Sequence, residues 1–151
     1  IAWNEEHLYI RFDIRDHRFA LKLLDRFPEN WWANDAMQMF FDTFGDGPMK
    51  AIRGITGFDG NDMSYDVMPT NETSAVVFRR HVPDHQLTGG VQGGLLGKMI
   101  EPGVACDYRF DAAKGTRTVE LDFPARLLRP MRFEAGSAPG FAVKVIVSPG
   151  R

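Results

Sequence analysis

Cys106 is the only cysteine in 151 residues, so no internal disulfide staples this chain and cysteine usage says nothing of its redox compartment. Long apolar runs are missing too. None approaches the ~20 residues that cross a bilayer as a helix, and no membrane partner is expected. Charge of one sign is equally scarce: 18 basic and 20 acidic residues leave a net charge of −2 with no block of like charges. Nucleic-acid binding driven by phosphate neutralisation is therefore not expected. Internal repeats and low-complexity segments are absent. Gly89-Gly90-Val91-Gln92-Gly93-Gly94 lacks the strand–helix context and spacing of a phosphate loop, and reads as a flexible connection.

Catalytic signatures are thin as well. No His-Ser or His-Cys arrangement is visible. Glu120 and Asp122 share one face of a strand, whereas a glycosidase needs two carboxylates facing each other across ~5–10 Å. They read as solvated residues, and the chain is expected not to be an enzyme.

With 44% hydrophobic residues, the chain can build one domain with a real core and is too short for two ordinary ones. His7 to Asp16 alternates, with Leu8, Ile10, Phe12 and Ile14 on one face and Tyr9, Arg11, Asp13 and Arg15 on the other. Asn4-Glu5-Glu6 supplies a polar turn that makes this strand the second arm of a hairpin. Asp16 can cap a short helix carrying Phe19, Leu23, Leu24 and Phe27, which Pro28 ends. Ala36 to Phe41 is apolar on both faces, as a strand covered on both sides must be. Further strands are expected at 64–68, 75–80, 104–110, 117–123 and 141–147. Pro69-Thr70-Asn71 is read as the turn between the first two of these, and 125–128 as a helical turn. Residues 45–62 and 81–103 read as loops, the latter carrying six glycines. The fold class is all-β, an antiparallel sandwich of jelly-roll or immunoglobulin-like type with one short helix.

The densest chemistry lies in Trp31-Trp32-Ala33-Asn34-Asp35 and the strand after it. Neighbouring side chains of an extended segment leave on opposite faces, so two adjacent tryptophans cannot both enter one core. An exposed indole offers a flat apolar face, suited to the C–H face of a sugar ring. Arg53 follows in the next loop as a donor to hydroxyls; its plain alternative is a solvated arginine.

Three segments, in order, resemble a known pattern. Trp3-Asn4-Glu5-Glu6-His7-Leu8-Tyr9-Ile10, running on to Asp16, is similar to a "W-(D/N)-x-x-x-L-Y-(V/I)…D" hairpin. Trp32 with Asp35–Asp42 resembles "W-x-x-D-x-(V/L)-(E/Q)-(I/L)-F-(I/F)-D". Thr118–Pro124 with Gly140-Phe141-Ala142-Val143 resembles "V-E-x-x-(I/F)-P … G-F-x-V". Together they are similar to carbohydrate-binding module family 9 and to the wider superfamily of DOMON-type sandwiches that bind sugars or haem. The resemblance implies a sugar stacked on Trp32, with Trp31 beside it, and hydroxyls bonded by Gln38, where the family often has Glu. Gln retains an acceptor and adds donors. It also implies an extracellular or periplasmic accessory domain that binds polysaccharide or oligosaccharide beside other domains of the same polypeptide. The family carries strands beyond both ends of the matched segment, so the chain, opening on Ile1, is read as a piece of a longer protein.

No cofactor is required by this reading. Asp42, Asp46, Asp59, Asn61 and Asp62 lie on glycine-containing loops and are candidate ligands for a structural calcium; turn-forming Asx residues explain the same composition without a metal. His81 and His85 are separated by Pro83, which opposes the helix a zinc pair would need. Met37, Met39, Met63, Met68 and Lys98 are considered because haem-binding relatives use Met with His or Lys as axial ligands. Core packing is the default for these methionines and haem the alternative. The other alternative is a structural brace without a ligand, recognisable by an apolar patch where a neighbouring domain docks.

Overall fold

The computed structural model describes residues 1–19, 35–45, 62–81, 100–134 and 139–146. They form two four-stranded antiparallel sheets packed face to face. The strands are β1 (Ala2–Trp3), β2 (His7–Arg15), β3 (Ala36–Asp42), β4 (Met63–Asn71), β5 (Ser74–His81), β6 (Ala105–Asp111), β7 (Thr116–Pro124) and β8 (Gly140–Ile146). The first sheet has the order β1-β2-β7-β6 and the second β5-β4-β3-β8. The expected all-β sandwich is present. Its one helical element among the described residues is a 3-10 turn at Ala125–Leu127. Of the helix expected after Asp16, residues 17–19 are described and are not helical, with Phe19 packed on Phe110 and Tyr108; the remainder lies outside the described residues.

Alternation places the core. Leu8 and Ile10 from β2, Val119, Leu121 and Phe123 from β7 and Tyr108 from β6 meet Met37, Met39 and Phe41 from β3 and Met63, Tyr65 and Val67 from β4. Three aromatic rings lock the layers together. Phe123 meets Phe41 at 5.7 Å and Tyr65 at 5.0 Å, both edge to face. The Tyr65 hydroxyl donates to the Leu127 carbonyl at 2.6 Å, so the buried ring keeps its polar end satisfied.

Turn chemistry fixes the ends. Asn4 Oδ1 accepts from the backbone N–H groups of Glu6 and His7, closing the β1–β2 hairpin. The β4–β5 turn falls at Glu72-Thr73, not at Pro69-Thr70-Asn71, which belong to β4. Pro69 is tolerated there because β3 pairs with β4 only as far as Val67, so its missing N–H removes no bond on that side. Asn71 Oδ1 then accepts from Thr73 N at 2.8 Å and forms the turn.

The two long edges of the sandwich differ. On the β5/β6 side, Val77, Phe78, Val104 and Tyr108 are buried, and Glu101 N donates to Val77 O across the gap. On the β1–β2/β8 side, Phe12 stacks on Phe141 at 6.5 Å. There the inward-facing Trp3, Phe141 and Val145 stay 61%, 37% and 39% exposed.

Candidate functional site

Residue parity puts Ala36, Gln38, Phe40 and Asp42 on the outer face of the second sheet, opposite the core-facing Met37, Met39 and Phe41. Register then assembles a row across four strands: Lys144 on β8, Gln38 on β3, Asp66 on β4 and Phe78 on β5. Gln38 Nε2 donates to Asp66 Oδ1 over a long 3.4 Å, and both side chains are buried. Lys144 at the edge is exposed. At the β5 end of this row, Phe78 joins Ala36 and Met68 in a second small apolar cluster, with Val76 and Ile146 packed on it. The row therefore holds an amide and a carboxylate among apolar neighbours, where water competes little for their hydrogen bonds.

Of the residues singled out in the sequence, Gln38 stands on this face, while Trp31, Trp32 and Arg53 lie outside the described residues. Asp66 and Lys144 were not anticipated. The signal for Asp66 was present, since Ser64, Asp66 and Met68 share one parity of a strand whose other parity is Tyr65 and Val67. Only the register with β3 reveals that Asp66 meets Gln38.

The candidate calcium ligands divide in the same way. Asp46, Asp59 and Asn61 lie outside the described residues. Asp42 Oδ1 accepts from Gly45 N at 2.7 Å, and Asp62 Oδ1 accepts from Thr43 N at 3.3 Å, so both carboxylates bind backbone N–H groups of the turn after β3. Among the described residues no group of three or more His, Cys, Asp or Glu is placed to hold a metal. Met37, Met39 and Met63 pack in the interlayer core and Met68 in the outer cluster. Lys98 and His85 lie outside the described residues.

A charged centre that the sequence did not announce lies at one end of the sandwich. Arg117 is 1% exposed. Its Nη2 donates to Asp16 Oδ2, just past β2, and to Asp35 Oδ2 at 2.8 Å, just before β3. One guanidinium thus ties the first sheet to the second. Its Nε and Nη1, and the nearby Tyr108 hydroxyl, have no hydrogen-bond partner among the described residues. Arg117 shares its parity with Val119, Leu121 and Phe123, which is the signal that it points inward.

These contacts account for several residues of the three segments singled out in the sequence. Asp16 and Asp35 flank Arg117, Asp42 caps the turn, and Gly140 lies opposite Asp42 in register. A Cβ on Gly140 would stand 2.8 Å from Asp42 Cβ, so the close approach demands glycine. Glu120 and Asp122 are both held by neighbours, Glu120 in an ion pair with Arg11 at 2.7 Å and Asp122 against His7 Nδ1 at 2.5 Å.

The fold and this face define a two-layer antiparallel β-sandwich with a polar row set into one covered sheet. In comparisons with known proteins, no family model and no curated protein matches the chain.

Proposed function

We propose that this chain is a non-catalytic carbohydrate-binding module that holds an attached enzyme on polysaccharide. The observation that carries this reading is the Gln38–Asp66 pair, a buried amide and carboxylate on the outer face of the second sheet, with Gln38 six positions after Trp32. A sugar ring stacks its C–H face on Trp32, with Trp31 as the neighbouring aromatic. Gln38 presents a carbonyl acceptor and amide donors to hydroxyls, Arg53 adds donors, and Asp66 orients the Gln38 amide. The order of the pattern residues from Trp3 to Val143 supports the same reading.

Calorimetric titration with soluble glucans, xylans and their oligosaccharides tests it. The intact chain should bind at least one of them, Trp32→Ala should weaken binding tenfold or more, and Gln38→Ala should weaken it less. No binding by the intact chain, or unchanged binding after Trp31→Ala and Trp32→Ala, overturns it.

A second reading, a brace between domains, is favoured by the exposed Trp3, Phe141 and Val145 along one edge. It predicts that Trp3→Ser with Phe141→Ser improves solubility while leaving sugar binding unchanged. If the chain binds no sugar and only this pair of changes alters its behaviour, the brace replaces the module.

A further inference from the structure

We propose that the outer face of the first sheet carries a second saccharide-binding groove, centred on Tyr9 and suited to an uncharged oligosaccharide. The groove is an open depression of about 610 Å³ over β2 and β7, with β1 and β6 as its sides. That volume falls within the ~300–1,000 Å³ typical of small-molecule sites. Its shape follows from the register. One row across the sheet reads Ala2, Tyr9, Asp122, Ala105 and the next Arg11, Glu120, Asp107. Alanines at both ends of the first row leave space around a ring and a carboxylate.

The groups in that space are already held in place. The Tyr9 ring, 41% exposed, is backed by the His7 imidazole at 5.8 Å with planes 12° apart. His7 Nδ1 in turn holds Asp122 Oδ1 at 2.5 Å. Arg11 is fixed by Asp13 at 2.9 and 3.1 Å, and its Nη1 donates to Glu120 Oε1 at 2.7 Å. Asp122 and Glu120 therefore each spend one oxygen on a protein side chain, His7 and Arg11, and keep the other, Asp122 Oδ2 and Glu120 Oε2, for a ligand. A sugar supplies what such a site lacks: hydroxyl donors for the free oxygens and an apolar C–H face for the tyrosine.

Charge selects the class. Asp107, Glu120 and Asp122 repel an anionic sugar. Arg109 and Arg11, paired with Asp107 and Glu120, offset much of the field that would draw a cation. The groove shares its ligand class with the function proposed above, and rests on that reading for the choice of probe, but it uses none of the same residues.

Residue-resolved NMR titration of the intact chain with xylo- and gluco-oligosaccharides separates the two sites. The groove requires saturable shifts at Tyr9, Glu120 and Asp122, retained in the Trp31→Ala, Trp32→Ala double variant. Tyr9→Ala should weaken those shifts tenfold or more, Asp122→Asn severalfold, and Tyr9→Phe little, because the ring face is kept. If both the intact chain and the double variant leave these residues unmoved while Trp32 responds, the groove falls and the first site stands. If the groove residues respond and loss of both tryptophans changes nothing, the groove stands and the first site falls. Binding confined to amino sugars and abolished by 0.5 M salt makes it a cation site and overturns the proposal. No binding anywhere ends both.

Discussion

Along β2, Tyr9, Arg11, Asp13 and Arg15 reach solvent between inward-facing residues, whereas along β4 seven consecutive residues from Met63 to Pro69 are buried. The first sheet is thus covered on one face, and the central strands of the second on both. The difference changes what a polar residue costs. On the first sheet charges sit in water and pair along and across strands: Arg11 with Asp13 on its own strand and with Glu120 on β7, Arg109 with Asp107 on its own strand. Such pairs are individually worth little. On the second sheet Gln38, Ser64 and Asp66 are desolvated, so each must be repaid by a partner inside the protein. A buried polar row therefore says more about selection for a site than an exposed one does. The Tyr9 groove is informative only because its charges enclose a ring.

The sharpest break in this comparison is the one place where both sheets share charges. Arg117→Ala removes the guanidinium that bridges the buried Asp16 and Asp35 carboxylates, and should cost about 3–5 kcal/mol in denaturant unfolding. Asp35→Ala should cost less, because Asp16 still neutralises the guanidinium. Equal losses from Arg117→Ala and from an exposed arginine such as Arg109→Ala would show that the centre is not a brace.

How much of this was legible follows from the same asymmetry. The strand from His7 and its inward residues could be read directly, because a sheet with one wet face writes a period of two into the sequence. The apolar run 36–41 announced a strand covered on both sides, and β3 is one. Its partners were not legible. Neither Asp66 beside Gln38 nor Arg117 between two aspartates follows from spacing, since register and the stacking of the sheets decide both. The turn expected at Pro69 was misplaced because proline is excluded only where a neighbouring strand needs its N–H, and β3 has already ended there.

Removing one member of the buried row is the next test in size. Asp66→Ala deprives the Gln38 amide of an acceptor in covered surroundings and should cost about 1–3 kcal/mol. Replacing Gln38 and Asp66 together by apolar residues should cost less than the sum of the two single changes, measured as a double-mutant cycle. An additive result would mean that the pair is not coupled.

Raising the pH probes the inward side of both sheets. Burial, helped by Asp107, pushes the Cys106 thiol up to about 11, and burial also raises the Tyr65 and Tyr108 hydroxyls. In each case the folded state holds its proton more tightly than the unfolded chain. The resulting stability is complete below the unfolded thiol's value near 9 and is lost as pH rises through the folded one. Unfolding midpoints should therefore be level up to about pH 8 and fall between pH 9 and 11. Thiol labelling of the native protein at pH 8 should run on the order of 100-fold slower than in denaturant, following the thiolate fraction.

The smallest effect belongs to the wet face. Hydrogen bonds from Arg11, and then from the Thr118 hydroxyl, hold the Asp13 carboxyl below the usual aspartate range. Arg11→Ala removes the larger of these, so NMR titration should find Asp13 ionising at higher pH. The unfolding midpoint at neutral pH should barely move, because both groups are fully exposed. Stability linked to Asp13 is present above its unfolded value and lost as pH falls, so any effect of the change must vanish in acid. A large loss of stability at pH 7 from Arg11→Ala would mean that the ion pairs of the first sheet hold the fold as well as decorate it, and the contrast between the two sheets would collapse.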